Sequence, residues 1–281
     1  MLKKVTIAAA QMDPKILEKD YNLEKAIIFA REAYKNGAKI VVFPECALTG
    51  YCFSSLQEAI SVSEPIPGKS TNSLHKICHE LDILILMGLI EKAGDNYYNS
   101  AVLIGPEGIV GNYRKIHLPF LGLDRFVNGG DIPFTVYNTK FGKLGWVICY
   151  DNSFPESLRV LTLKGVEIAA LLTNWPEGVE TTAKYIFPAR AVENRINYIA
   201  ANRVGNERGV RFIGQSKIVD FVGRILAEAS SDREEVICAE VDLEQARNKR
   251  TVFVPGEFEL DRIKDRKPEF YGPITEVVER S

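Results

Sequence analysis

The apolar runs of this 281-residue chain are strand-sized, and helical periodicity returns between them, which restricts the fold more than any other feature. The longest runs, Ile83 to Ile90 and Ile168 to Leu172, fall far short of the roughly 20 residues that cross a membrane as a helix. Strand patterns fall at 5–11, 40–43, 83–91, 100–104, 109–114, 134–138, 145–149, 168–173, 199–202, 212–219, 225–229 and 234–241. Helical patterns fall at 22–35, 71–80, 156–164, 182–194 and 243–247. Strands interleaved with helices predict an α/β or α+β domain built in layers. In Gly105-Pro106-Glu107-Gly108 the outer glycines bracket two strands, so the segment reads as a hairpin. The spacing Gly105, Gly108, Gly111 is no phosphate loop, because it lacks G-x-G-x-x-G and opens no helix.

No Ser/Gly-rich or Pro-rich linker and no solenoid repeat divides the chain, so residues 1–281 are expected to form one domain. A net charge of -2 argues against a nucleic-acid partner. The opening Met1 to Ala10 has a superficial likeness to a signal peptide, but its apolar stretch stops at Gln11 and Asp13 and reads as a buried first strand. Five cysteines, an odd number scattered through a chain too large to need staples, predict a reduced cytoplasmic compartment.

Three strand-like runs end on residues of catalytic type: Glu45 after Ile40-Val41-Val42-Phe43-Pro44, Lys115 after Gly111-Asn112-Tyr113-Arg114, and Cys149 after Trp146-Val147-Ile148. Strand ends are where sites assemble in layered α/β sheets, so a carboxylate, an ammonium and a thiol could meet at one edge. Each also has a plainer reading: Glu45 as a cap on 46–51, Lys115 as a solvated strand-end charge, Cys149 as a small buried hydrophobe. Composition and spacing nominate the three without choosing.

Together, Phe43-Pro44-Glu45 with Thr49-Gly50-Tyr51, Tyr113-Arg114-Lys115-Ile116-His117-Leu118-Pro119, and Ile148-Cys149-Tyr150-Asp151 with Phe154-Pro155-Glu156 resemble the nitrilase, or carbon–nitrogen hydrolase, superfamily. The resemblance extends to Ala8-Ala9-Ala10-Gln11, Thr173-Asn174-Trp175-Pro176 and Arg190-Ala191-Val192-Glu193-Asn194, and so spans nearly the whole chain. It implies a four-layer αββα sandwich and a Glu45-Lys115-Cys149 triad that needs no cofactor and no metal. In that scheme Glu45 takes the thiol proton, Lys115 and the backbone N–H of Tyr150 hold the oxyanion, and water resolves a thioester.

Many relatives carry a second glutamate after the lysine motif, whereas this chain has Asp124 in Phe120-Leu121-Gly122-Leu123-Asp124-Arg125-Phe126. Asp124 is either a shorter substitute or a loop charge paired with Arg125. A papain-like mechanism would need His75, His79 or His117; the resemblance makes His117 a support for the loop. His75 and His79 lack the glutamate of H-E-x-x-H and read as a solvated helix face. Tyr51, Tyr150, Asn174, Trp175 and Asp124 are the candidate substrate-facing residues, with Trp175 equally readable as an aromatic closing the core. Arg190 and Glu193 pair three apart on a helix, as architecture.

Residues 247–281, charged and bearing Pro255, Pro268 and Pro273, are not expected to form a regular core element. The resemblance makes them an arm across a neighbouring subunit of a homo-dimer or larger homo-oligomer. The function expected is hydrolysis of a small amide to ammonia and a carboxylic acid. Nitriles, N-carbamoyl amines and ureido acids are alternative substrates, and a non-catalytic relative or an acyltransferase are alternative roles. The loop 122–130 and the segment 202–212 resemble amidase-like members.

Overall fold

Both faces of the central strands are apolar, and the fold buries both. In the computed structural model, which describes residues 2–277, Ile7 and Ala9 of β1 (Lys4–Gln11) face a second sheet, while Ala8 and Ala10 face helices. The same division holds along β2 (Ile40–Val42), β3 (Leu84–Ala93) and β8 (Ile168–Thr173). A strand covered on both sides needs an unbroken apolar run rather than alternation. Each fully buried Val, Leu or Ile there contributes about 1.5–3 kcal/mol relative to exposure.

One six-stranded sheet has the order β14-β1-β2-β3-β4-β5, where β4 is Asn96–Gly105, β5 is Gly108–Arg114 and β14 is Glu235–Asp242. The other has the order β13-β12-β9-β8-β7-β6, with β6 at Tyr137–Thr139, β7 at Gly142–Ile148, β9 at Asn197–Asn202, β12 at Lys217–Val219 and β13 at Ile225–Glu228. Trp146, Ile148 and Leu172 meet Ile40, Leu84 and Leu86 between the sheets. Helices α1 (Lys19–Lys35) and α3 (Lys69–Leu81) cover the first sheet, and α4 (Pro155–Leu163) and α5 (Phe187–Asn194) the second. Helix α3 shows why it docks: Leu74, Ile77, Cys78 and Leu81, at i, i+3, i+4 and i+7, are its buried apolar stripe. The layers are therefore α, β, β, α, as the family resemblance implies.

Strand direction decides where the chemistry gathers. β1, β2 and β3 run parallel, and β5 reaches the same direction after two antiparallel steps through β4. The ends of β2 and β5, and so Glu45 and Lys115, therefore share one edge of the first sheet. β7, β8 and β9 are parallel in the second sheet, so Cys149 and Asn174 share an edge there.

Two expectations are corrected, and a third segment holds more structure than its composition announces while staying out of the core. The strand read at 212–219 is split into β11 (Val210–Ile213) and β12, because Gly214 and Gln215 turn the backbone into the left-handed region at φ +59° and +57°. The helix read at 182–194 starts with a widened π turn, Thr182–Ile186, ahead of α5, whose Pro188 has no N–H to donate back. The charged segment after 247 holds a hairpin, β15 (Arg250–Val254) with β16 (Phe258–Asp261). Its cross-strand pairs, Arg250 with Glu259 and Phe253 stacked on Phe258 at 4.4 Å, escape a reading of charge and proline content. Residues 278–281 of the expected arm lie outside the described residues. Among the described residues no helix is long and apolar enough to cross a membrane.

Candidate active site

Glu45 follows β2 in a turn whose backbone lies tight against β3. A Cβ on Gly88 of β3 would stand 2.4 Å from the Pro44 carbonyl and 2.7 Å from the Cys46 nitrogen, so glycine is what allows this approach. The Glu45 carboxylate is thereby carried beneath the surface, with a fully buried side chain. Its Oε1 accepts from Lys115 Nζ at 2.6 Å and from Asn99 Nδ2 at 2.8 Å. Its Oε2 is buried with no hydrogen-bond partner among the described residues.

Lys115, immediately beyond β5, is equally buried and is fixed through its backbone to Asn99 O and Gly130 N. Its Nζ bridges Glu45 and Asp124, donating to Asp124 Oδ2 at 2.5 Å. The sequence left two readings of Asp124, and the geometry separates them. The carboxylate receives Lys115, the Tyr51 hydroxyl at 2.8 Å and Asn99 Nδ2 at 2.9 Å, whereas Arg125 turns away to the carbonyls of Gly122 and Phe53. Asp124 stands on a short 3₁₀ turn, Gly122–Arg125, with both oxygens occupied by the protein's own donors.

Cys149 closes β7 at φ +44° and opens a 3₁₀ turn, Cys149–Ser153, that leads into α4. Asp151 fixes this turn. Its Oδ2 accepts from Ile148 N at 3.0 Å and from the Tyr113 hydroxyl at 2.8 Å, and its Oδ1 stands 2.7 Å from His117 Nδ1. His117 stacks on Phe154 with ring centroids 3.7 Å apart, so it braces the turn after Cys149 through Asp151. From the outer layer, Arg190 Nε donates to the Asn152 carbonyl, and Arg190 also pairs with Glu193 at 3.2 Å.

The electrostatics follow from burial. Desolvation pushes the Cys149 thiol up to about 12, with the Glu45 charge adding to this and Lys115 opposing it. Burial also raises the Glu45 carboxyl above its ordinary value, against the pull of Lys115 and with the help of Asp124. Burial alone would discharge Lys115, but Asp124 and Glu45 outweigh it and hold the ammonium well above its usual range. The cluster thus holds Lys115 as an ammonium, while burial disfavours the charged form of both Glu45 and the Cys149 thiol.

The remaining candidates divide. Asn174, just past β8, donates Nδ2 to the Glu45 carbonyl at 3.0 Å and joins the two sheets at the site. Tyr51 is buried beside Lys115, with Nζ 5.9 Å from its ring centroid. Tyr150 is exposed and lies edge-on to Phe154 at 5.2 Å. Trp175 is 3% exposed and packs on Phe187 in the core beneath the outer helices. His75 and His79 both turn a ring nitrogen to the Pro106 carbonyl, at 3.0 and 3.3 Å.

Sequence reasoning missed Asn99, whose one amide nitrogen reaches both Glu45 and Asp124. No sequence signal singled it out; in the structure Asn99 and Ser100 form a polar pair fully buried within β4. A cavity of about 490 Å³ lies away from this cluster, between α4 and Arg262, Arg266 and Tyr271 of the C-terminal segment.

Comparison with known proteins agrees with the geometry. A model of the carbon-nitrogen hydrolase family matches residues 6–251. A protein described as a nitrilase from Pyrococcus abyssi is 42% identical over 268 residues, covering 95% of this chain and 99% of its own length. An N-carbamoylputrescine amidase from Arabidopsis thaliana is 31% identical over 272 residues, covering 89% of this chain and 88% of its own. The crystal structure of a carbon-nitrogen hydrolase from Helicobacter pylori superposes with a TM-score of 0.83 at 24% identity, covering 98% and 99% of the two chains, a likeness of fold. Sequence and fold thus agree that the chain belongs to the carbon–nitrogen hydrolase family, the nitrilase superfamily, and is a hydrolase of C–N bonds.

Proposed function

We propose that the protein cleaves the non-peptide C–N bond of a small carboxamide through a thioester on Cys149, releasing ammonia and a carboxylic acid. One observation carries this reading: the buried cluster leaves over one acceptor and one donor. An ammonium has three N–H donors, and Lys115 gives two of them to Glu45 and Asp124. Glu45 engages Oε1 and keeps Oε2 without a partner. Attack by a thiol on a carbonyl needs an acceptor for the S–H proton and a donor for the oxygen that gains charge.

The steps balance on these groups. The Cys149 proton passes to Glu45 Oε2 as sulfur bonds to the carbonyl carbon, and the C=O pair moves to oxygen, held by the third Lys115 N–H and the Tyr150 backbone N–H. Such a donor contributes about 3 kcal/mol. Collapse breaks the C–N bond, and nitrogen leaves as ammonia with the proton from Glu45. Glu45 then takes a proton from water as the hydroxyl adds to the thioester; the C–S bond breaks and the proton returns to sulfur. A thiol pushed up to about 12 is not a free thiolate at neutral pH, so proton transfer has to accompany attack.

A nitrile is the second reading, supported by the description of the 42% identical relative. Thiol addition to C≡N gives a thioimidate, which one water converts to the same thioester with loss of ammonia. The Arabidopsis relative brings N-carbamoyl amines into the same comparison. A panel of small amides, nitriles, N-carbamoyl amines and ureido acids, scored for ammonia and acid, decides among them. An amide should give the highest kcat/KM and the Cys149→Ala variant none of the product; turnover of amides at the parent rate by that variant would sink the thioester. We further propose a cytoplasmic homo-oligomer, and sedimentation showing an active monomer would remove it.

A further inference from the structure

Arg203 and Glu207 form a buried ion pair that the chemistry above does not use. Arg203 is 1% exposed and Glu207 4% exposed, although Arg203 immediately precedes β10 (Val204–Glu207) and Glu207 ends it at the turn of the hairpin that β10 makes with β11. Arg203 Nη1 lies 2.8 Å from Glu207 Oε2 at an angle unsuited to a hydrogen bond, so charge alone holds the pair there. Arg203 Nη2 is fixed by Asp13 Oδ1 and the Pro14 carbonyl, both at 3.1 Å, and the guanidinium lies over the Phe212 ring at 4.3 Å. Removing one partner of such a pair costs far more than the pair contributes, so a buried charge retained here calls for an explanation.

The other Glu207 oxygen supplies one. Oε1 accepts from the backbone N–H of Tyr51 at 2.8 Å and of Cys52 at 2.7 Å. The carboxylate comes so close that a Cβ on Gly50, at φ +79°, would stand 2.9 Å from its Oε2 and 2.6 Å from Ile16 Cα. The Tyr51 backbone is thereby clamped at its N–H. From that clamp the ring extends to its hydroxyl, which donates to Asp124 Oδ2, and Asp124 Oδ2 receives Lys115. The contacts form one chain, from Arg203 through Glu207, Tyr51 and Asp124 to Lys115.

We propose that Glu207, held in place by Arg203, is a positioning residue that sets Lys115, and with it Glu45, through Tyr51 and Asp124. The inference rests on the function proposed above for those residues, yet its test does not need a substrate. The segment 202–212, legible in sequence only as a likeness to amidase-like members, thus acts on the ammonium through that chain of contacts.

The experiment follows the rate at which iodoacetamide alkylates Cys149, read by peptide mass, in the parent, Glu207→Asp, Glu207→Ala, Tyr51→Phe and the Glu207→Ala/Tyr51→Phe double variant. Glu207→Asp keeps a charge opposite Arg203 while withdrawing the oxygen from the two amides. It should fold with a melting temperature within a few degrees of the parent and alkylate about tenfold more slowly. Tyr51→Phe should fall by a similar factor, and the double variant should be no slower than the slower single variant, because both cut one chain. Where an amide is turned over, kcat should fall with KM within about threefold. Parent-rate alkylation by Glu207→Asp overturns the proposal and leaves the pair a purely structural ion pair; multiplying effects in the double variant overturn it as well. If Glu207→Ala fails to fold, the double variant becomes Glu207→Asp/Tyr51→Phe under the same criteria. A parent that alkylates normally but hydrolyses nothing on the panel counts against the proposed function alone.

Discussion

Cys46 and Cys149 lie in turns that follow strands of opposite sheets, Cys46 next to Glu45 in sequence and Cys149 within reach of its charge, both in the left-handed region at φ +50° and +44°. For residues with a Cβ this conformation costs about 1–2 kcal/mol, so strain by itself does not mark a nucleophile. Surroundings separate the two. Cys46 is fully buried among Tyr51, Phe53 and Leu123, with its thiol turned to Asn99 Oδ1 at 3.5 Å. Cys149 is half-buried and opens a helical turn, with both charges of the cluster acting on it. Burial pushes both thiols up, Cys46 well above its ordinary value with the Glu45 and Asp124 charges adding to the effect. A reactive thiol here is distinguished by access to a carbon atom and by a proton acceptor within the same cluster, not by a lowered resting pKa.

The comparison breaks first, if it is wrong, at the two sulfurs themselves. Cys149→Ala should lose at least about a thousandfold in hydrolysis, the scale on which removal of a covalent nucleophile acts. Ammonia release, with folding followed by circular dichroism, measures it. Lys115→Met comes next. It leaves Glu45 and Asp124 as two buried carboxylates without their common cation, and breaking such a set costs about 3–5 kcal/mol. Denaturant titration should record that loss, and turnover should fall about a hundredfold or more as the oxyanion donor goes. Replacing Lys115 without change in either quantity would show that the cluster is structural and that Cys149 owes nothing to it.

That cluster also marks the boundary of what the sequence reveals. Glu45, Lys115 and Cys149 are legible because each terminates an apolar run, and parallel strands bring their ends to one edge. Asn99 is not: it lies inside β4, ahead of the apolar residues that announce the strand, and its importance comes from two carboxylates at distant positions reaching the same nitrogen. Asp124 was readable as a carboxylate near Lys115, but its choice of Lys115 over Arg125 depends on the turn at Gly122, where φ is +51°. Trp175 followed a strand end as Asn174 did; one step along the chain turned it from the site into the outer core. The clamp by Glu207 depends wholly on tertiary structure, since nothing local links residues 203–207 to residue 51.

Asn99 also sharpens the contrast through pH. In the proposed mechanism Glu45 accepts the thiol proton only when ionised, so activity should decline as pH falls through its raised pKa, above the ordinary 4.5. Asn99 donates to the charged form and draws that pKa downward. Asn99→Ala removes the donor, worth about 1.5–3 kcal/mol to a charged acceptor, and should move the acid limb of kcat/KM upward by about 1–2 pH units. An unmoved limb would remove Glu45 as the group that sets it.

The smallest effect is the control that the comparison requires. Cys46→Ala keeps the backbone conformation and deletes one buried sulfur, along with its 3.5 Å contact to Asn99. The expected cost is about 1 kcal/mol of stability, the order for one buried heavy atom in a packed core. Hydrolysis should stay within about threefold, because Asn99 Nδ2 still holds Glu45 and Asp124 from its place in β4. Alkylation at neutral pH should mark Cys149 in the folded protein and reach Cys46 only in denaturant, since its side chain is fully buried. A tenfold loss of kcat with stability unchanged would mean that Cys46 tunes the carboxylate through Asn99, and the two left-handed cysteines would then be parts of one device, with only one of them forming the bond.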